Sequence, residues 1–295
     1  MCNHYRIPTL KKRQQPLRLT IDYINIGTPG NAKYFGDLTV ARDYLGAVSD
    51  GSRGVFGPGN DGPPAPYSND TIDYITIATY SNATDFGNST LAREGANGVE
   101  GGGRGVWAGG WLNATPGGET IDYITIATPG NAADFGNLHS STLNNNNDRD
   151  SAAAVSNGIR GVWAGGYVGS GNGFPNSRHE KMDYITIATT GNATAFGDLT
   201  IERGYATGVS DGSRGVITGG NRATNNNTMD YISIATTADA KDFGDMTANK
   251  DYLASTSDGS RGINGGAYPE SNVIDYYTIG IPENALDFGD LIQAR

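Results

Sequence analysis

The sequence predicts an all-β fold of small antiparallel sheets set around a common axis, and three observations carry that prediction. One phrase, clearest as TIDYITIATPGNAADFGNL at 120–138, recurs six times along the 295 residues. Its strand-like core, IDYITIAT, is apolar on both faces rather than on one. Asp-Gly turns, the strongest short-range hairpin signal, stand between apolar runs at 49–54, 210–215 and 257–262.

The repeat comes first, because a fixed period overrules any segment-by-segment reading. Asp-Tyr pairs fall at Asp22/Tyr23, Asp73/Tyr74, Asp122/Tyr123, Asp183/Tyr184, Asp230/Tyr231 and Asp275/Tyr276. A Phe-Gly pair follows each of them, at Phe35, Phe86, Phe135, Phe196, Phe243 and Phe288. A second signature, Arg-Gly before a short apolar run and usually Gly-Gly, occurs only five times, from Arg53, Arg104, Arg160, Arg214 and Arg261. The chain therefore divides into a basic N-terminal arm, 1–19, and a single repeat array, 20–295.

Within one unit the elements follow in order. Strand a precedes the Asp-Gly turn, and strand b is the GVF or GVW run after it. A loop of variable length leads to strand c, IDYITIAT, whose alternation sets Ile72, Tyr74, Thr76 and Ala78 on one face and Asp73, Ile75, Ile77 and Thr79 on the other. Both faces are partly apolar, as in a sheet covered on both sides. The PGNA or TGNA turn then separates c from strand d, DFGDL. Four antiparallel strands in about fifty residues, repeated around an axis, make a β-propeller.

These residues resemble the kelch repeat family. The family's Gly-Gly, tyrosine, later aromatic and closing Ala-Arg have their counterparts in Gly109-Gly110, Tyr123, Phe135 and the Ala-Arg pairs ending at Arg42, Arg93 and Arg295. The resemblance spans roughly 20–295 and implies a propeller of kelch-like four-stranded blades. Here Asp precedes the Tyr, Phe stands for Trp, and Gly57-Pro58-Gly59 interrupts the glycine pair. The consensus is also similar to repeats in structural proteins of marine phages and environmental viruses, which implies a virion component. Six c-d hairpins against five a-b hairpins leave one blade irregular. The expectation is six blades, the first completed by a degenerate a-b pair in 5–20; an a-b pair from another chain, or a longer parent chain, are the alternatives.

Composition narrows the function. The first 21 residues hold five basic residues, Arg6, Lys11, Lys12, Arg13 and Arg18, and no acid. The rest then carries 16 basic against 31 acidic residues, a charge of −15 that repels nucleic acid and anionic lipid. No run approaches eighteen apolar residues, so membrane insertion is not expected. The N-terminus lacks the apolar stretch of a standard signal peptide.

Antiparallel order places the a-b and c-d turns on one face and the b-c and d-to-a connections on the other. The second set varies, as a recognition surface on a rigid scaffold does. Its candidate contact residues are Tyr67, Trp111, Tyr167, Phe174 and Tyr268, with Arg178, His179, Asn145 and Asn146 beside them. Aromatic rings among amides suit sugars and protein partners alike. Catalytic readings find no footing. His4, His139 and His179 share no motif or metal spacing, Cys2 lies outside the array, and SDGSRGVF misses the sialidase turn by one residue. The recurring strand-c Asp and strand-b Arg are expected to be satisfied structurally, because a buried charge without partners is costly. The sequence thus points to a non-enzymatic structural or adhesive component of an extracellular or virion assembly, with a monomeric glycan-binding module as the alternative. Its partners are further copies of the chain, other proteins of the assembly, or cell-surface glycans, with no cofactor and no metal.

Overall fold

The computed structural model of the protein describes residues 19–28, 30–63, 67–112, 118–139, 149–168, 177–221, 226–268 and 270–294. Among them all regular structure is strand, arranged as five four-stranded sheets and three two-stranded ones. The hairpin β1 (Thr20–Tyr23) and β2 (Lys33–Asp37) comes first. The first complete blade is β3 (Ala47–Ser49), β4 (Arg53–Phe56), β7 (Thr71–Thr76) and β8 (Thr84–Asn88). A short ribbon, β5 (Gly59–Asn60) with β6 (Ser68–Asn69), projects from its b-c loop. The second blade is β9 (Asn97–Gly101), β10 (Arg104–Ala108), β11 (Thr120–Thr125) and β12 (Ala133–Asn137). The third is β13 (Ala153–Ser156), β14 (Arg160–Ala164), β17 (Lys181–Thr186) and β18 (Thr194–Asp198), with the ribbon β15 (Tyr167–Val168) and β16 (Ser177–Arg178) in its b-c loop. The fourth is β19 (Thr207–Ser210), β20 (Arg214–Thr218), β21 (Thr228–Ser233) and β22 (Lys241–Asp245). The fifth is β23 (Ala254–Ser257), β24 (Arg261–Gly265), β25 (Val273–Thr278) and β26 (Leu286–Asp290).

This is a β-propeller of four-stranded antiparallel blades, with one correction to the expected count. There are five such blades, not six; among the described residues the sixth position holds only the c-d hairpin β1–β2. The a-b pair expected from 5–20 lies outside the described residues except for its last two positions, of which Thr20 opens β1. At the inner radius β3, β9, β13, β19 and β23 pack against one another in sequence. The hydrophobic core lies between blades. Val48 and Val55 of the first blade, for example, share one cluster with Trp107, Ile124 and Ile126 of the second. Trp107 also donates its indole N–H across the interface to the Gly46 carbonyl at 3.2 Å, and Trp163 does the same to Asn97 at 2.9 Å.

The repeated phrase is the machinery of these interfaces. Each Asn of GNA, or its Asp equivalent, accepts a hydrogen bond from the strand-d backbone of the preceding blade: Asp37 N to Asn82, Asn88 N to Asn131, Asn137 N to Asn192 and Asp198 N to Asp239, at 3.0–3.1 Å. The next residue's N–H returns a bond to the same strand-d residue, as from Ala83 to Asp37 O at 2.7 Å and from Ala240 to Asp198 O at 2.8 Å. The belt closes the circle, from Asp290 to Asn31 and from Ala32 back to Asp290. Phe-Gly follows from this close approach. A Cβ on Gly136 or Gly197 would lie 2.5 or 2.4 Å from the carbonyl oxygen of Gly191 or Ala238, so a side chain there would force the blades apart.

Polar repeats are also structural, as expected, but the strand-c aspartates pair with a different set of cations. Asp73 accepts bonds from Thr39 N and Oγ1, at 3.2 and 2.5 Å, and from Arg42 at 2.8 Å; neither Asp73 nor Arg42 exposes its side chain. Arg93, Arg149, Arg203 and Lys250 serve Asp122, Asp183, Asp230 and Asp275 in the same way. Each pair pins the connection entering a blade to that blade's third strand. Strand-b arginines instead lie over strand-c tyrosine rings, 4.1–4.9 Å from the centroids. They reach the next blade through bonds such as Arg53 to Ile126 O at 3.0 Å and Arg261 to Ile26 O at 3.1 Å.

Candidate binding site at the propeller axis

The d-to-a connections reach the axis at five equivalent positions: Tyr44, Gly95, Ser151, Tyr205 and Tyr252. Each directly follows a residue that bridges to the strand-b exit of its own blade, as Asp43 does to Asn60, Glu94 to Trp111, Asp150 to Tyr167, Gly204 to Asn221 and Asp251 to Tyr268. A chain of backbone bonds joins the five around the axis: Gly95 N to Tyr44 O at 2.7 Å, Ser151 N to Gly95 O at 2.8 Å, Tyr205 N to Ser151 O at 2.9 Å and Tyr252 N to Tyr205 O at 3.1 Å. That geometry demands positive φ, which runs from 53° to 73° at all five. Glycine adopts it without strain, whereas a tyrosine there is a rare, costly conformation.

The consequence is a cluster of phenol rings over the axis. Tyr205 and Tyr252 stack at 4.1 Å, Tyr44 meets Tyr252 edge-on at 5.6 Å, and Tyr167 and Tyr268 join from the b-c loops at 5.6 and 6.2 Å. A cavity of about 70 Å³ opens between them, lined by Tyr44, Glu94, Gly95, Asp150, Ser151, Tyr205 and Tyr252. It holds roughly five water-sized groups, which fits the head of a side chain or one edge of a sugar rather than a whole saccharide chain. Burial, with the carboxylates nearby, pushes the phenols of Tyr44 and Tyr205 well above their ordinary value and that of Tyr252 up to about 12. The rings are therefore neutral at physiological pH. Asp43, Glu94, Asp150 and Asp251 give the cavity a negative rim, for their charges act on the phenols.

The residues singled out in the sequence distribute unevenly around this site. Tyr167 and Tyr268 belong to it, and Tyr268 is 67% exposed. Arg178 pairs with Tyr167 across the β15–β16 ribbon and bonds Asn221, which in turn donates to Asp251 at 2.8 Å. Trp111 bridges to Glu94 at the rim. Tyr67 directly precedes β6 and is exposed, with its carbonyl accepting from Asp61 N at 2.8 Å. His179 directly follows β16 and is held in place by its main chain. Its N–H bonds Gly166 O, its carbonyl accepts from Arg203 N, and burial together with Arg149 and Lys181 lowers its imidazole to about 4. Phe174, Asn145 and Asn146 lie outside the described residues.

Sequence reasoning missed Tyr44, Tyr205 and Tyr252, although the signal was present as RDYL, RGYA and KDYL after the d strands β2, β18 and β22. Their axial position is hidden behind the Arg or Lys that precedes it by two, which reads as part of the blade framework. Among the described residues no set of three His, Cys, Asp or Glu is placed to hold a metal ion, and no helix is long and apolar enough to cross a membrane. No known protein family matches the chain, and no curated protein matches it.

Proposed function

We propose that the protein is a non-enzymatic recognition scaffold, a structural or adhesive component of an extracellular or virion assembly in line with its kelch-like and phage-like phrasing, that grips a protein partner at the axial tyrosine site. One observation carries the reading. At five equivalent positions that all require positive φ, glycine occupies one and tyrosine occupies three. Strain of roughly 1–3 kcal/mol per residue persists where the surrounding structure and a use for the side chain sustain it. Packed rings with a carboxylate rim favour a cationic group, the head of a lysine or arginine presented by the partner. The neighbouring loops supply varied contacts around that anchor.

The stacked Tyr205–Tyr252 pair and the exposed Tyr268 give the glycan reading its support, since a sugar's apolar face stacks on such rings. Titrations read by tyrosine and backbone NMR shifts distinguish the two. Tetramethylammonium and N-acetyl-lysine methyl ester are the cationic probes, and a glycan array tests saccharides. Shifts at Tyr44, Tyr205 and Tyr252 that weaken with salt and vanish in Tyr252→Asn support the cationic anchor; Asn suits because it tolerates positive φ. Array binding without those shifts moves the assignment to glycans, and silence in both refutes the site.

A further inference from the structure

Four of the five a-b turns are built alike, and one of them carries an amide where the other three carry an acid. In SDGSRG at 49–54, 210–215 and 257–262 the Asp Oδ1 accepts the backbone amides two and three residues on, at 2.6–2.9 Å. The third blade reads SNGIRG at 156–161, and there Asn157 Oδ1 accepts from Ile159 N at 3.0 Å and from Arg160 N at 2.7 Å. In all four turns the glycine N–H donates to the serine Oγ two residues before it, as from Gly158 to Ser156 at 2.9 Å. The second blade has Gly101-Gly102-Gly103 at this place and so no side chain to compare.

An asparagine followed by glycine can react with its own backbone, and this turn sets out the groups that reaction uses. The electrophile is Asn157 Cγ, whose oxygen is held by two N–H donors placed to stabilise the negative charge it gains under attack. The nucleophile is the Gly158 nitrogen, one peptide away, so the reacting atoms belong to one short loop. Its proton points at Ser156 Oγ, which presents a lone pair because its own hydroxyl proton goes to Glu100 O at 2.7 Å. Gly158 is exposed, holds φ of 80° and has no atom within 4 Å of where a Cβ would stand, so water reaches the site. The two other Asn-Gly pairs among the described residues differ. Asn97 lies in β9 with Nδ2 bonded to Ala152 O at 2.6 Å, Asn264 is fully buried in β24, and neither following glycine has positive φ.

We propose that Asn157 is a self-modification site, deamidated in the folded chain to an aspartate that gives the third blade the same acidic turn as the first, fourth and fifth. The Gly158 nitrogen loses its proton to water and bonds to Asn157 Cγ; the Cγ–Nδ2 bond breaks and Nδ2 leaves as ammonia. A second water opens the resulting cyclic imide at Cγ, returning a proton to the Gly158 nitrogen and leaving a carboxylate. The net change is amide plus water to carboxylate plus ammonium, and the formal charge of the chain moves from −10 to −11. Opening at Cγ is favoured because the Ile159 and Arg160 amides that polarise it remain in place. Opening at the main-chain carbonyl would instead route the backbone through the side chain and break the Ser156–Gly161 register of the hairpin. The product is one the fold accepts: the same two amides hold the carboxyls of Asp50 and Asp258 below the ordinary aspartate value, and bonds to a charged acceptor are stronger than those to an amide.

Incubation of the intact folded chain at neutral and mildly alkaline pH, followed by tryptic mapping, is the test. Peptide 150–160, which carries Asn157, should convert on the order of tenfold or more faster than the peptides carrying Asn97 and Asn264, because those sit in strand ladders that open rarely. Electron-transfer fragmentation, with Asn157→Asp as the standard, should show aspartate as the major product in the folded chain and a larger share of isoaspartate when conversion takes place in urea. Asn157→Asp should melt no lower than the parent, and Ser156→Ala should slow conversion severalfold. Conversion at Asn157 no faster than at Asn97 and Asn264, isoaspartate as the major product of the folded chain, or a lower melting temperature for Asn157→Asp overturns the proposal. Should Ser156→Ala fail to fold, the rates and the product ratio of the parent chain decide alone.

Discussion

Gly197→Ala and Gly289→Ala make a matched pair that isolates one contact. Both glycines follow the Phe of the repeated phrase, both sit on strand d, and both hold φ values that only glycine adopts readily, 155° and 143°. The conformational cost of an alanine, about 1–3 kcal/mol, is common to the two and cancels in their difference. Sterics do not cancel. A Cβ at 197 would stand 2.4 Å from Ala238 O, so the neighbouring turn must retreat by about 1 Å to reach ordinary contact at 3.4 Å. That movement stretches Ala240 N to Asp198 O, now 2.8 Å, and Asp198 N to Asp239, now 3.0 Å, beyond hydrogen-bonding range. Two lost bonds cost about 1–3 kcal/mol together. At 289 the nearest atom is 3.5 Å away and the corresponding bonds are already long, at 3.3 and 3.4 Å. Gly197→Ala should therefore lose about 1–3 kcal/mol more than Gly289→Ala, a gap of roughly 2–10 °C in melting temperature. Calorimetry on both variants, with urea midpoints as a check, measures it. Equal losses, or a larger loss at 289, would refute the view that the Phe-Gly glycine exists for blade-to-blade approach.

Further outcomes follow from the same contacts. Arg203→Ala strands the buried Asp230 carboxylate and should cost about 3–5 kcal/mol, while Arg203→Met combined with Asp230→Leu should recover much of it; a single-variant loss below 1 kcal/mol by urea unfolding would contradict the pairing. Arg214→Ala removes the 3.0 Å bond to Ile279 O and the stacking 4.6 Å above Tyr231, so thermal unfolding should show a loss of about 1–2 kcal/mol with no effect on probe binding at the axis. His179 is held near 4 in the fold against an ordinary 6.5, so its contribution is complete above pH 6.5 and disappears as pH falls toward 4. For this half-buried group the loss is on the order of 1–2 kcal/mol. His179→Gln should flatten the melting profile in that window, and an unchanged slope assigns the acid sensitivity elsewhere.

How much of this was legible in the sequence depends on the radius. Outer-belt elements repeat six times with constant spacing, so Asp-Tyr, GNA and Phe-Gly marked the c-d hairpins, and the Asp-Gly turns located the a-b hairpins. Asp211, for instance, caps the Ser213 and Arg214 amides at 2.7 and 2.6 Å. Partner choice was not legible, because Asp230 reaches Arg203 across a connection rather than Arg214 on the adjacent strand. The aromatic b-c loops drew attention by their length and variety, and Tyr167, Tyr268 and Arg178 do converge. The axis itself escaped notice because its tyrosines occupy a position where the sequence changes freely, Tyr, Gly, Ser, Tyr, Tyr, and only backbone geometry reveals that the five are one place.

That variability is itself informative about how the molecule divides its work. Contacts at the outer radius are nearly identical around the ring, so each depends on its neighbours keeping the same spacing, and a change in one glycine propagates to a belt of bonds. At the axis the backbone chain from Tyr44 O through Gly95, Ser151 and Tyr205 to Tyr252 is made by main-chain atoms alone. The main-chain bonds fix the Cα positions there whatever the side chain, and the tyrosine rings pack on one another rather than into the blades. A tyrosine at such a site loses little mobility on binding a ligand, because its backbone is over-determined before the ligand arrives, which is the condition for a preorganised anchor. Residues free to vary without disturbing the fold, held rigid by bonds that do not involve them, are where a repeat protein can acquire a partner while its blades stay the same.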